Sequence, residues 1–409
     1  MGFRELTPVN EALDKFFRAL QPKRLDAILI SVEEAIGRVT AKNVVAEGNL
    51  PPFDRSAVDG YALKAKNTIE ASPSQPKAFR LVRKEVVEEG EAKEIWTGHN
   101  LPQGADAIVM LEYTKKTDCG IKIVVSLTPG MNVSKKGEDV KKGEIVMEAG
   151  VELTPHHLGL LTALEMREIE VVRKPKVALV ATGNELVALG DKIEPNQIIE
   201  ANSIILSGMC AELGAEAFSL GIAKDDESEI KEKISEGLAK ADIVITTGGT
   251  SVGIHDLVPK VIEQIEPKSI IVHGIAMRPG MPTALAVVQR KPVIILSGNP
   301  VAAAVGFEVF VRPLVQKLLG IKNKARIELK AKLTRRVAGV LGRRVFLRVK
   351  VVEKKGEFLA EPIRVKGSSV ITTMTKANGY VIIPEDREGL RKDELVVVHL
   401  FDTVKGGKM

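Results

Sequence analysis

Three stretches decide the fold: KVALVATGNE at 176–185, DIVITTGGTSVGIHD at 242–256 and VIILSGNP at 293–300. Each is a run of aliphatic and β-branched residues that ends in a glycine turn. A run with no polar alternation suits a strand covered on both faces, as parallel strands are. Between the runs the apolar period lengthens to that of a helix. Leu206, Met209, Cys210 and Leu213 share one face behind Asn202 or Ser203 as cap, and Ile230 and Ile234 mark a further helix. Another strand is expected over 216–222 and a long helix over Val301–Leu319. Strand–helix alternation of this kind predicts an open, mostly parallel α/β sheet.

Outward from this centre the texture changes. Near the N-terminus Thr7 is expected to cap a helix with Pro8 in its first turn, since Leu13, Phe16, Phe17 and Leu20 recur at helical spacing. Ser31-Val-Glu-Glu34 reads as a capping box on a short helix. PPFDRSAVDGYA at 51–62 holds too many prolines and Asp-Gly signals for regular structure and reads as a shaped loop. Strand-like runs follow at Phe79–Val82, Ala107–Met110 and Ile121–Ser126, and then a helix over Leu153–Leu164 opened by Thr154 and Pro155. Beyond residue 326, Ile327–Leu333, Val345–Val352 and Leu395–Leu400 predict a small β domain.

Composition removes several function classes. The chain has 409 residues, which at about 150 per domain predicts two to four domains. Two cysteines and six histidines, with no H-E-x-x-H pair, leave no disulfide framework, thiolate zinc cluster or imidazole-held metal. No stretch approaches the roughly 18 apolar residues of a membrane span, and the N-terminus has no secretory core, so a cytoplasmic location is expected. The net charge of +6 is mild for this length. Its basic doublets (Lys135-Lys136, Lys141-Lys142, Arg335-Arg336, Arg343-Arg344) are dispersed and lack interleaved aromatics, so they read as solvated faces, not a nucleic-acid platform.

Ligands of open α/β sheets bind beyond the carboxyl ends of the strands, where glycine turns let backbone N–H groups face anions. Three such turns at equivalent strand ends carry more weight than one. They offer Thr182, Gly183 and Glu185, then Gly248, Gly249, Thr250, Ser251, Gly253 and Asp256, and finally Ser297, Gly298, Asn299 and Pro300. Hydroxyls and close backbone approach beside a carboxylate suit a phosphorylated ligand with a divalent cation, because a bare carboxylate would repel the phosphate. No Walker G-x-x-x-x-G-K-[ST] and no G-x-G-x-x-G is present. Arg278 in RPGMP (278–282) puts a guanidinium on proline-fixed backbone, a good oxyanion holder.

PPFDRSAVDGYA (51–62), TGHNLPQGADAIVMLE (97–112), KKGEDV (135–140), ATGNEL (181–186), TTGGTSVGIHD (246–256) and SGNPVAAAVGF (297–307) occur in this order. Together they resemble the molybdopterin molybdenumtransferases, the MoeA family that includes the gephyrin E domain. The resemblance runs over nearly the whole chain, to GSS (367–369) and ANG (377–379). It implies an enzyme that inserts molybdate or tungstate into adenylylated molybdopterin and releases AMP with the help of Mg2+. It also implies a homodimer, with the site between the α/β domain of one subunit and other domains of its partner, and a molybdopterin-adenylylating enzyme as a further partner. Neither nucleic acid nor membrane is expected to bind.

The expected architecture is multidomain, α/β plus β. An extended helical/dimerisation region (1–45 and 141–175) accompanies a β-rich insertion domain (46–140). An α/β pterin-phosphate-binding domain (176–325) follows, and a small β-barrel-like domain (326–409) ends the chain. By resemblance, Asp59 and Thr97 match positions used in metal insertion, and Asp139, Glu185 and Asp225 match acidic positions of the cleft. Glu185, Asp225 and Asp256 are the expected ligands of the cation. Gly248, Gly249, Thr250, Ser251 and Gly253 match the pterin-phosphate loop, and Thr182 and Gly183 are expected to bind substrate beside it. Arg278, Ser297, Gly298, Asn299 and Pro300, with Arg343, Arg348, Thr372 and Thr373 of the last domain, fall in segments that resemble the oxyanion-contacting region.

Four departures bear on that region. The family's usual K-P-G-K-P reads Arg278-Pro-Gly-Met281-Pro, and its usual P-G-N-P-V-S reads Ser297-Gly-Asn-Pro-Val-Ala302. A lost Lys and a lost Ser remove a charge and a donor. Charge-assisted bonds contribute about 1.5–3 kcal/mol each, so oxyanion affinity is expected to fall by roughly one or two orders of magnitude unless compensated. Two other readings therefore stand beside the transferase: a molybdopterin-binding partner protein without turnover, and a Mg-dependent hydrolase of an adenylylated compound.

Overall fold

The computed structural model describes residues 5–249, 257–321, 325–363 and 369–404. The chain divides into two compact units, one of Met1–Ile28, Gly37–Val39 and Val172–Met409, the other of Leu29–Ile36 and Thr40–Val171.

The first unit is built on a six-stranded sheet in the order Glu216–Ala223, Lys176–Thr182, Ile243–Thr247, Lys291–Leu296, Ala284–Val288, Lys268–His273. The first four strands run parallel and Ala284–Val288 alone runs against the rest, pairing antiparallel on both its edges, so the sheet is open and mostly parallel as expected. Ile243–Thr247 is buried along its whole length, which is why its sequence shows no alternation. Helix Glu227–Lys240 lays Ile230, Ile234 and Leu238 on one face of the sheet against Ala178, Val180 and Val244. Asp226 caps it by accepting the Glu229 N–H at 3.0 Å. After Lys176–Thr182 the chain adds its next strand on one side and then crosses to the other. The crevice at the carboxyl end of that strand is thus a topological switch point.

The expected helix over Val301–Leu319 is present, with an internal irregularity. It runs as α-helix Pro300–Gly306, a π-helical turn Phe307–Val311 and α-helix Arg312–Leu319. Two expected caps differ. Thr7 donates its N–H to Gly274 O at 3.0 Å and bridges Ile275, which leaves Pro8 as the cap of helix Val9–Leu20. Ala201 flanks helix Asn202–Glu212, whose Ser203 N–H is taken by the Glu200 carboxylate at 3.0 Å. Ser31–Glu34 is a single 3₁₀ turn capped by Ser31. Helix Val9–Leu20, grouped above with 141–175, falls in the first unit.

The same unit ends in a closed five-stranded barrel. Arg344–Lys354 pairs with both Glu357–Pro362 and Gly379–Ile383, and Glu328–Leu333 and Leu395–Leu400 complete the ring. Its core is Leu333, Val349, Val351, Ile383 and Val398 with their neighbours. Met277–Arg278 pairs in parallel with Arg344-Val345, which fastens the RPGMP loop to the barrel.

The second unit carries a six-stranded, mainly antiparallel sheet in the order Ala107–Met110, Gly60–Leu63, Glu91–Ile95, Lys77–Leu81, Gly120–Ile123, Thr114–Thr117. Tyr61, Leu63, Phe79 and Ile121 form the core on one of its faces. Among the described residues no helix is long and apolar enough to cross a membrane.

Candidate active site

Local backbone geometry makes the strand-end turns. Thr182 closes its strand, is buried, and donates its hydroxyl to Thr247 O at 3.3 Å. Gly248 has φ +94°, and a Cβ there would lie 2.3 Å from Thr182 O, so only glycine lets the two turns meet. At Gly183 the place of a Cβ is taken by the Glu185 carboxylate, 2.5 Å away. Asn202 donates its amide to Gly298 O at 2.8 Å, and its own Oδ1 is buried with no partner. The crevice therefore brings together Thr182, Gly183, Gly248, Gly249 and Gly298. Thr250, Ser251, Gly253 and Asp256 lie outside the described residues.

Two exposed carboxylates stand over neighbouring strand ends. Asp225 accepts the Asn184 N–H through Oδ2, and the Asp225 N–H donates to Asn184 Oδ1, each at 3.1 Å. Glu185 follows directly in the same turn. No group of three or more His, Cys, Asp or Glu side chains poised for a metal occurs among the described residues.

Between the α/β sheet and the barrel lies a cavity of about 900 Å³. Arg278, Arg335, Arg343 and Arg348 line it together with Ser297 and Asn299, and among the described residues no carboxylate does. Arg278 enters through a cis peptide to Pro279. Arg335 donates to Pro362 O at 2.9 Å and Arg348 to Phe346 O at 3.2 Å, while the adjacent Arg344 is neutralised by Glu385 at 3.0 Å. Arg348 is only 8% exposed, its Nε has no partner, and burial pulls its pKa down from the ordinary value. A charged guanidinium held in this way lacks the counter-charge that normally offsets desolvation. The cavity is thus made for an anion. Met281 and Ala302, two of the four departures, also line it.

Of the residues expected at the oxyanion, Arg278, Ser297, Asn299 and Arg348 share this cavity, as does Arg343. Gly298 and Pro300 are not in its lining, nor are Thr372 and Thr373. The Thr373 hydroxyl is instead spent on Val370 O at 2.8 Å. Arg335 was missed, because an Arg-Arg doublet in a basic chain reads as solvent-facing. Only the barrel's closure brings it to Arg348.

In the second unit Asp59 Oδ1 accepts both the backbone N–H and the hydroxyl of Thr97, at 2.8 and 2.7 Å. The Thr97 N–H first, then its hydroxyl, hold the Asp59 carboxyl below its usual pKa. Backbone bonds fix the two loops side by side: Ser56 N–H to His99 O at 2.9 Å and Gly98 N–H to Ser56 O at 2.8 Å. Asp139 is exposed, and its N–H donates to Leu50 O at 3.0 Å at the start of the proline loop.

Comparison with known proteins gives a consistent picture. Three family models match: the MoeA N-terminal region (domain I and II) over residues 7–164, a probable molybdopterin binding domain over 178–317, and the MoeA C-terminal region (domain IV) over 330–401. The molybdopterin molybdenumtransferase of Bacillus subtilis is 33% identical over 98% of this chain and 95% of its own length. That of Staphylococcus aureus is 30% identical, over 98% and 97%. Among solved structures, the molybdopterin biosynthesis moeA protein from Pyrococcus horikoshii OT3 superposes with a TM-score of 0.83 at 34% identity, covering 97% of this chain and 100% of that one.

Proposed function

The chain belongs to the MoeA family of molybdopterin molybdenumtransferases, and from that premise we propose that it inserts molybdate or tungstate into adenylylated molybdopterin and releases AMP. The observation that carries this reading is the cavity with four arginines and, among the described residues, no carboxylate. A tetrahedral dianion brought there meets guanidinium groups whose forks match its oxygens. Arg335 and Arg343 supply the positive charge that Met281 no longer provides, and Ser297 keeps one hydroxyl where Ala302 has none.

In the insertion, two metal–sulfur bonds form as one oxo group of the oxyanion leaves with the two thiol protons as water. The phosphoanhydride P–O bond breaks by addition of a second water, giving AMP. The glycine turns at 183 and 248–249 allow a phosphate to approach backbone closely. Glu185 and Asp225 are hard oxygen donors that fit Mg2+, which takes one or two carboxylates and fills its other positions with phosphate and water. Glu185 and Asp225 would hold such an ion, which would supply charge neutralisation to the phosphate. Asp59, held ionised by Thr97, serves as the carboxylate of the second unit, with Asp139 beside its loop. The protein is taken to act as a homodimer, which sedimentation of the full chain checks.

The deciding assay is AMP release from adenylylated molybdopterin with Mg2+, titrated with molybdate and tungstate in parallel. Oxyanion-dependent release, saturating lower for one of the two, is the expected result and names the metal. Tight binding without AMP release assigns a binding protein instead. Release that is equal without any oxyanion assigns a hydrolase.

A further inference from the structure

A second cavity, of about 300 Å³, opens in the first unit between helix Asn202–Glu212, the helix that begins at Pro300, and the barrel. Its walls are mostly apolar, with Ile205, Met209, Ala304, Phe346 and Met374 among them. That volume is at the lower end of what small-molecule sites occupy, and apolar walls with a few fixed polar groups are their usual make-up.

The charged groups on these walls are two carboxylates, Glu212 and Glu308, and two guanidiniums, Arg326 and Arg348, and they are not all paired. Glu308 is gripped by two guanidiniums, Arg312 at 2.8 Å and Arg326 at 2.9 Å. Against burial, which lowers it, the Arg326 pKa is raised chiefly by the hydrogen bond to Glu308, and Glu212, the other carboxylate on the walls, adds the smallest share. Arg326 is thus paired with Glu308, whereas Arg348 has no carboxylate partner among the described residues. It lines both cavities, is only 8% exposed, and leaves Nε buried without a partner. Tyr380 on the same wall is kept a neutral phenol, its pKa pushed up to about 12 chiefly by burial. Glu308 belongs to the π-helical turn Phe307–Val311, a helix irregularity common at functional sites.

We propose that this second cavity binds a small monocarboxylate with an apolar body, the carboxylate on Arg348 and the body between Met209, Ala304 and Phe346. Because Arg348 also faces the cationic cavity, the carboxylate and an oxyanion draw on the same guanidinium, so each weakens the other's binding. The binding stands by itself; only the mutual weakening rests on the oxyanion reading given above.

The test is isothermal titration of the full-length protein with 3-phenylpropanoate and with the neutral 3-phenylpropan-1-ol. One saturable site for the acid is expected, with the alcohol at least about tenfold weaker, as loss of a charge-assisted bond implies. Arg348→Gln should erase the difference between acid and alcohol. Ala304→Phe should fill the cavity and abolish binding, and Met209→Trp does the same from the opposite wall if Ala304→Phe fails to fold. Absence of saturable acid binding overturns the proposal, as does equal binding of acid and alcohol. Undiminished binding in a folded cavity-filling variant overturns the location. In the same titrations, saturating 3-phenylpropanoate should weaken tungstate several-fold. If tungstate does not bind even alone while the acid does, the oxyanion reading fails and this site stands.

Discussion

Asn184 and Asp225 hold one another across two neighbouring parallel strand ends, each backbone N–H donating to the other's side chain at 3.1 Å. Asp225 therefore has two duties, fixing a turn and offering a carboxylate, and one substitution separates them. An amide oxygen at 225 still accepts the Asn184 N–H, so Asp225→Asn should melt within about 0.5 kcal/mol of the parent. Its loss of charge should weaken Mg2+ by at least about tenfold, read as a shift in the Mg2+ dependence of AMP release. Asp225→Ala should lower the melting temperature as well. Unchanged Mg2+ dependence in the Asn variant would remove Asp225 from the cation site.

The Asp59–Thr97 pair makes a pH prediction. The folded Asp59 pKa lies below its ordinary 3.8, the Thr97 N–H being the larger cause and the hydroxyl the next. A depressed carboxyl contributes stability above its unfolded pKa and loses it as pH falls through the folded value. Asp59 is thus ionised throughout pH 5–8, and no step in the activity profile over that range should trace to it. Thr97→Val removes the hydroxyl donor but not the N–H, so the Asp59 carboxyl resonance should titrate higher than in the parent while staying below an unperturbed aspartate. Asp59→Ala should fold normally and insert no metal. A folded variant with full insertion would sink that role.

How far these features were legible in the sequence differs by element. Strands 176–182 and 243–247 were plain, because burial on both faces removes polar alternation and leaves an apolar run that ends in glycine. The barrel's closure was not, since nothing in Arg344–Lys354 announces that it pairs on both edges. With closure hidden, Arg335 had no visible reason to approach Arg348, and a doublet of arginines gives the same signal on a solvated face. The π-helical turn was likewise silent: Phe307, Phe310 and Val311 keep an apolar spacing that fits an uninterrupted helix. Thr7 misled because a tertiary bridge to Ile275 outweighed its capping preference.

Restoring the usual residues in the cationic cavity tests whether its arginines compensate. Met281→Lys adds a fifth cation and should tighten tungstate by about tenfold at low salt, with Ala302→Ser adding less, since a neutral hydroxyl bond contributes only about 1 kcal/mol. Arg335→Gln should loosen tungstate by about tenfold or more and leave melting nearly unchanged, its one bond among the described residues being to Pro362 O. Titration calorimetry at two salt concentrations reads all three. If Arg335→Gln binds tungstate as the parent does, the compensation falls elsewhere in the cavity.

Glu308 carries the last prediction, which concerns stability. Burial works to raise its pKa, but hydrogen bonds from Arg326 and then Arg312 outweigh burial and hold it below its ordinary 4.5. Its contribution is therefore present above the unfolded pKa and disappears as pH falls through the lowered folded value. Glu308→Gln leaves two largely buried guanidiniums without a counter-charge, and breaking a buried ion pair from one side costs about 3–5 kcal/mol. Urea denaturation of parent and variant between pH 7 and pH 3 should show that deficit at neutral pH and its narrowing towards acid, as the parent's own Glu308 protonates. A deficit that stays constant over the whole range would mean that the glutamate holds the helix to the barrel by shape, with its charge contributing little.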